Sequence, residues 1–381
     1  MADPTIDVYE TRADEWERRR GPTGDASGFA RRLEPEDRPV VDLGCGPGWD
    51  LPALGLPTIA VDAASSFLAK VPSYAPAASR VRADLRALPF RGGSLGAAWA
   101  SRSYVHLSRS EVPFALWDLH RSLRVGAPVR LSFFGGDQDH DTLRGDDFAG
   151  RRFSLWSRDR LSWVIEGAGF SGITLDEQDG EDGRTLIVEA RRERTLGDTV
   201  DGSMRVLVVG LNPSWYAADA GVGFARPGNR FWPAALDAGL VTRSRDPLHA
   251  LHHDHIGMTD LVKRPSARAD ELSRDDYRDG LERLRGVVEL LEPRALCIVG
   301  LSGWRAAIDR KAMAGVQADA FAGRPVYLMP NTSGLNARVP LDELASHFRS
   351  AAELADRSRR SRPSDGAPSR TRRRVHAHPG P

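Results

Sequence analysis

The residues best suited to chemistry lie between Met204 and Trp232, in MRVLVVGLNPSWYAADAGVGFARPGNRFW. Asn212 follows an apolar run and is itself followed by Pro213. A carboxamide is no strong base, but it can hold a water with one donor and one acceptor, which suits a bond that breaks largely by itself. Phe224 comes next in a glycine-spaced loop, and Asn229 before Arg230-Phe231-Trp232 reads as a helix N-cap. A second set is Gly44, Gly46 and Gly48 in DLGCGPGWD, with Asp62 and Asp84 downstream. Glycines there let the backbone approach a ligand and feed a helix N-terminus, and a carboxylate at the end of the following strand can accept both hydroxyls of a ribose. A third is the small, polar loop Asn331 to Arg338, NTSGLNAR, with Leu335 at its centre.

These residues need elements that hold them. Val206 to Val209 is short and β-branched, as expected of a strand buried on both faces, and Gly210 to Pro213 must turn. Asn212 is then left at the carboxyl end of a strand, where ligands bind in open α/β sheets. Gly280 to Leu291 has helical spacing, and Arg294 to Val299 and Pro325 to Pro330 read as further buried strands. Asn212 and Asn331 are thereby expected on one edge of one parallel sheet. Upstream, Pro39 to Leu43, Thr58 to Val61, a short segment before Asp84, Leu95 to Ala100 and Thr185 to Ala190 repeat the strand pattern, with residues 6 to 20 as a polar helix and lid.

The chain has 381 residues and a net charge of +1, so two or three α/β domains are expected and any polyanion-binding surface must be local. Only Cys45 and Cys297 are present, which argues for a reducing compartment and against both a disulfide scaffold and a four-thiolate iron-sulfur cluster. No metal site is expected either, because the spacing of His249, His252, His253 and His255 matches no standard ligand set. The charged N-terminus and the absence of a long apolar run point to a cytoplasmic protein without a membrane segment.

The domains read as 1–192, a polar linker 193–203, a second domain 204–353 and an Arg-rich tail 354–381, expected to be disordered and able to add salt-dependent DNA affinity.

Taken in order and spacing, GLNPS, FARPGNRFW, GMTDLVKRPSARADELS (257 to 273) and NTSGLNAR resemble the mismatch-specific uracil/thymine DNA glycosylases. The resemblance implies a three-layer α/β/α domain that hydrolyses the N-glycosidic bond of uracil, and by extension thymine or damaged pyrimidines, in G:U and G:T mismatches for base excision repair. It implies double-stranded DNA as partner, Asn212 as the water-orienting catalytic residue, and Leu211, Pro213, Phe224 and Asn331 at the flipped base. Gly334, Leu335 and Asn336 would wedge into the duplex. Thr332 stands where relatives have proline and Ser214 where they have glycine, and Asp260 is assigned no catalytic task.

Residues 5 to 192 resemble the small-molecule class I S-adenosylmethionine-dependent methyltransferases, through ADLRALPF, WAS, HL and RRFSLWSRDRLSWVIEGAGF. By that resemblance the fold is Rossmann-like and the cofactor is S-adenosylmethionine. Gly44, Gly46 and Gly48 would line its methionine moiety, Asp62 its ribose and Asp84 its adenine, with His106 facing an unknown methyl acceptor. Gly93-Ser94-Leu95-Gly96 lacks the carboxylate common in relatives, which leaves an inactive scaffold as an alternative. A further alternative treats the whole chain as a DNA amino-methyltransferase, because Asn212-Pro213-Ser214-Trp215 resembles that family's N-P-P-Y motif.

Overall fold

The computed structural model describes residues 3–143, 146–180, 183–334, 336 and 338–360, the side chains of 359 and 360 excepted. Fourteen strands among them fall into two sheets.

The first sheet holds β1 (Val40–Leu43), β2 (Thr58–Asp62), β3 (Ser79–Arg82), β4 (Ala97–Ala100), β5 (Pro128–Gly135), β6 (Gln138–His140), β7 (Phe153–Trp156), β8 (Phe170–Gly180) and β9 (Gly183–Arg192). The order is β3-β2-β1-β4-β5-β7-β6, with β9 pairing antiparallel to both β5 and β8. Strands β1 to β5 are mutually parallel. Residues 40–43 and 97–100 are buried throughout, which is why those runs read as continuously apolar. The helix Pro4–Arg19 lies over their carboxyl ends, capped by Asp3, and covers more of the chain's start than the sequence pattern suggested.

The second sheet holds β10 (Val206–Gly210), β11 (Ile256–Asp260), β12 (Ala295–Val299), β13 (Gly315–Val316) and β14 (Val326–Met329), in the order β11-β10-β12-β14-β13. All neighbours are parallel except β13 with β14. Val206 and Val208 face Phe231, Trp232 and Phe348 on one side of the sheet, and Leu207 and Val209 face Leu284, Val287 and Trp304 on the other. Helices cover both faces, the three-layer arrangement that a strand buried on both sides requires.

Two boundaries differ from expectation. Thr195 to Val200, expected in a solvated linker, are buried, and Thr199 bridges Met258 antiparallel to the sheet edge. The polar residues misled because each is satisfied internally rather than by water. The helix Leu341–Arg360 also runs through the expected start of the tail, with Leu354 and Ala355 turned into the core. Residues 361–381 lie outside the described residues.

The two halves share a close contact. Added β-carbons at Gly197 and Gly286 would sit 2.7 Å from the Trp117 ring and 2.0 Å from the Trp163 ring, so only glycine admits these tryptophans. Asp198 N–H donates to Gly167 O at 2.8 Å, and Phe114 meets His252 edge-on at 4.9 Å.

Candidate functional sites

The first site lies at the carboxyl ends of β1, β2 and β4. Gly44 and Cys45 N–H both donate to Val61 O, turning the chain, and Gly44, Gly46 and Gly48 all have positive φ. A β-carbon on Gly44 would lie 2.4 Å from Ser103, while one on Gly46 would enter open space. That space is a cavity of about 770 Å³ beneath Tyr9 and Trp16 of the N-terminal helix.

Its wall is acidic where the glycine turn lies. Asp62 accepts Gly46 N–H and Ala64 N–H, each at 2.9 Å, yet desolvation holds its carboxyl up at about 6. Asp50, raised by burial, accepts the Trp99 indole N–H. Asp42, which the sequence reading missed, is 2% exposed with Oδ2 lacking any partner, and burial beside Asp50 and Asp62 lifts its pKa well above the carboxylate range. Three crowded carboxylates and an orphaned oxygen suit a ligand that carries positive charge. Asp84 also lines the cavity; despite partial burial it is held below its ordinary value by Arg86, which grips it with Nε and Nη2.

His106 lines the same cavity. Its Nδ1 lies 2.8 Å from Arg152 O, and a carbonyl can only accept, so Nδ1 carries the proton. The bare Nε2 then takes the Tyr9 hydroxyl at 2.7 Å, and Tyr9 Oη accepts from Arg151 Nη1 at 2.8 Å. Desolvation, with Arg151 nearby, lowers His106 to about 4, and burial raises Tyr9 to about 12, so both stay neutral across the physiological range.

The second site lies at the carboxyl ends of β10, β11 and β14, with Asn212 half-buried. Leu261 N–H and Val262 N–H continue the β10–β11 ladder to Gly210 O and Leu211 O, and Ser266 N–H reaches Pro213 O. Asn212 Nδ2 donates to Arg264 O at 3.1 Å and Ser266 Oγ at 2.8 Å. Because the carbonyl has no proton, the nitrogen must face it, and Oδ1 is left as a free acceptor among the described residues. The sequence reading gave this amide a donor and an acceptor for solvent; the donor is already spent on the loop.

Phe224 adopts φ 57°, a left-handed backbone rare for an aromatic, and stacks on Phe231 with centroids 4.2 Å apart and planes 8° from parallel. The residue is half-buried. A β-carbon on Gly210 would meet Phe224 Cζ at 3.4 Å and Asp260 Oδ1 at 2.3 Å, so Phe224 and Asp260 meet over the last residue of β10. Asp260 is 8% exposed and burial raises it to about 6 against the pull of Lys263. Sequence reasoning gave it no role; its signal was a lone carboxylate closing an apolar strand.

The side chain of Leu211 points toward Gly303, into the core on the face of the sheet opposite Phe224 and Phe231. Pro213 is buried and offers no N–H. Ser214 caps the helix Trp215–Ala220 by accepting Ala217 N–H, a task glycine could not perform. One hollow of about 10 Å³ lies at Gly210, Leu211 and Gly300, and another of about 10 Å³ at Phe224 and Asp260. Each is too small for a heterocycle.

Asn331 follows β14, its side chain beside Gly300 and its Oδ1 accepting Ser333 N–H at 2.8 Å. Thr332 is fully buried and its hydroxyl donates to Asn229 Oδ1 at 3.0 Å. That oxygen also accepts Phe231 N–H, so Asn229 supports the helix from one position further out than an N-cap. A β-carbon on Gly334 would lie 2.7 Å from Gly228 O, and Arg230 donates to Asn336 O and Val339 O. The loops that read as separate motifs are thus laced together. Leu335 lies outside the described residues. The histidine cluster is remote, at the amino end of β11, where His249 and His253 stack on each other.

Residues 197–353 match the uracil DNA glycosylase superfamily, and residues 40–126 match a methyltransferase domain. The chain therefore carries two domains of enzymatic families: a methyltransferase domain with a Rossmann-like sheet, and a uracil DNA glycosylase superfamily domain built on the second sheet. Similar solved structures include an S-adenosylmethionine-dependent methyltransferase from Methanosarcina mazei, at 16% identity and TM-score 0.38, covering 43% of this chain and 96% of that one. A 1,6-didemethyltoxoflavin-N1-methyltransferase from Burkholderia thailandensis has 16% identity and TM-score 0.40, covering 51% of this chain and 92% of its own. A Thermotoga maritima S-adenosylmethionine-dependent methyltransferase has 15% identity and TM-score 0.39, covering 50% and 100%. No helix among the described residues is long and apolar enough to cross a membrane.

Proposed function

We infer that the second domain is a DNA glycosylase that removes uracil from G:U mismatches, with G:T and damaged pyrimidines as further substrates, in base excision repair. The observation that carries it is the joint disposition of Asn212, Phe224 and Asp260 around Gly210 within a uracil DNA glycosylase superfamily domain. A base turned out of a mismatched duplex stacks on Phe224; the poor pairing of a wobble mismatch lowers the cost of turning it out. The N-glycosidic bond breaks with its electron pair leaving on the base, and Asn212 Oδ1 accepts a hydrogen bond from a water and aims the water's lone pair at the sugar carbon. The ionised Asp260 carboxylate stabilises the cationic sugar and takes the proton that the water releases as its oxygen bonds to the carbon. The small size of the hollows at Leu211 and at Phe224 supports a base received at the surface of the rim. Gly334, Leu335 and Asn336 fill the gap left in the duplex.

For the first domain, we infer an S-adenosylmethionine-dependent methyl transfer to a small molecule. Asp42, Asp50 and Asp62 favour the positive ammonium and sulfonium groups, Gly46 leaves room for the methionine moiety and Asp62 faces the ribose. Bound there, the cofactor supplies an electrophilic methyl group. A cavity of about 770 Å³ walled by these buried carboxylates, with Asp42 Oδ2 unsatisfied, favours a binding-competent domain over an inert scaffold. The lining of that cavity runs from Asp3 to Phe153, so Asn212 is no part of it, which disfavours one DNA amino-methyltransferase spanning the chain.

Two measurements test these readings. An end-labelled duplex with one G:U pair, incubated with the protein and then treated with alkali, is expected to break at the uracil; an intact strand rejects the excision reading. Calorimetry with S-adenosylmethionine is expected to show one site, and no heat of binding would leave the scaffold reading in its stead.

A further inference from the structure

Asp198 belongs to the stretch that joins the two sheets, and it is the centre of a buried charge cluster. Its Oδ1 accepts from Thr259 Oγ1 at 2.6 Å and Lys263 Nζ at 2.8 Å, and its Oδ2 accepts from Arg283 Nη1 at 2.8 Å. All four residues are buried, Arg283 completely. The two cations hold the carboxyl below its ordinary range despite full burial. Its backbone N–H is bonded to Gly167 O, in the methyltransferase half.

The cluster leads directly to the excision rim. Lys263 precedes Arg264, whose carbonyl holds the Asn212 amide, and Ser266 supplies the second acceptor. Lys263 O is itself held by Thr195 Oγ1 at 2.5 Å, from the same joining stretch. Arg283 Nη2 donates to Asp260 O. The loop 260–266 is therefore anchored at Asp260 and Lys263 by residues from outside it, and Asn212 is held just beyond those anchors, at Arg264 and Ser266.

We propose that Asp198 is a positioning residue for base excision: by fixing Lys263 and Arg283 it sets the loop that orients Asn212, so the junction between the two domains is a working part of the glycosylase site. The proposal rests on the excision reading above. Asparagine at 198 keeps the shape but leaves two buried cations facing a neutral amide, which lets Lys263 draw away and loosens the loop. Asp260 senses the same change. Burial and Asp198 raise its pKa while Lys263 and Arg283 lower it, so removing the Asp198 charge and displacing Lys263 alters its titration.

The test uses the full chain and a labelled G:U duplex under single-turnover conditions, across protein concentration and pH. For Asp198→Asn the saturating rate is expected to fall about tenfold or more while the half-saturating concentration holds, since a small misplacement of a positioned group is costly. The acidic midpoint of the rate should also shift from its wild-type position, and Leu261, Val262 and Ser266 amides should exchange faster. Thr195→Val, which removes one anchor and no charge, should act in the same direction and less. A folded Asp198→Asn protein with a wild-type saturating rate and midpoint, or with all its loss in duplex affinity, overturns the proposal. If that variant does not fold, the saturating rate of Thr195→Val decides by the same criterion. If the wild-type chain releases no uracil, the excision reading fails by itself, and unchanged amide exchange in Asp198→Asn still overturns the positioning.

Discussion

The cavity around Gly46 and the rim around Asn212 both lie at the carboxyl ends of parallel strands, yet one encloses about 770 Å³ and the other offers hollows of about 10 Å³. The strand ends are alike; the covers are not. The helix Pro4–Arg19 roofs the first site, tied down where Arg151 bonds Tyr9 and is surrounded by the rings of Tyr9, Trp16, Phe148 and Phe153. Asn212 is half open to solvent, and under the excision reading the duplex itself supplies the cover. A site for a diffusing small molecule must be built in advance, whereas a base tethered to a polymer arrives with its own walls.

That contrast can be broken from either side. The largest effect is expected from Asn212→Ala: uracil release from a G:U duplex should drop roughly a hundredfold or more while duplex binding and S-adenosylmethionine binding persist, checked by single-turnover assay and calorimetry. Equal excision by mutant and wild type would remove the amide from the mechanism. Gly46→Val should do the converse. A side chain at φ 53° pointing into the cavity should weaken S-adenosylmethionine about thirtyfold or more, by strain and lost room, with excision intact.

Phe224→Ala should slow excision about tenfold, the scale of one lost base–aromatic stack, with little change at the methyltransferase site. The same rate should fall on acidification through about pH 6, where Asp260 takes up its proton. The sign for stability is opposite. The folded carboxyl binds its proton more tightly than the unfolded one, so ionised Asp260 costs stability above pH 6, and that cost fades as pH falls. Asp260→Asn should accordingly melt higher at pH 7.5 while excising slowly and without the acidic limb. The smallest effect belongs to Thr332→Val, which removes one buried hydrogen bond to Asn229 and should cost about 1 kcal/mol in denaturant titration.

The strand runs were legible because they are buried on both faces, so Val206 to Val209 and Val40 to Leu43 needed no tertiary context to be read. Asn212 was legible by its place after such a run, and the glycine turn by its spacing. What the residues alone could not reveal were charges satisfied at long range. Asp198 and Thr195 looked solvated because their partners, Lys263 and Arg283, lie far along the chain. Asp260 and Asp42 looked like ordinary strand ends, since desolvation is a property of neighbours rather than of the residue. Thr332 in place of proline looked like lost rigidity, but its hydroxyl restores the tie through Asn229.

The glycines beneath Trp117 and Trp163 have a consequence for how this polypeptide could be divided. Severed at residue 204, the later piece would keep Lys263 and Arg283 but lose their counter-ion, and it would bare the groove at Gly286 to water. Its smallest self-sufficient unit must begin no later than Thr195, and even then it would carry a tryptophan-shaped scar where its neighbour had been.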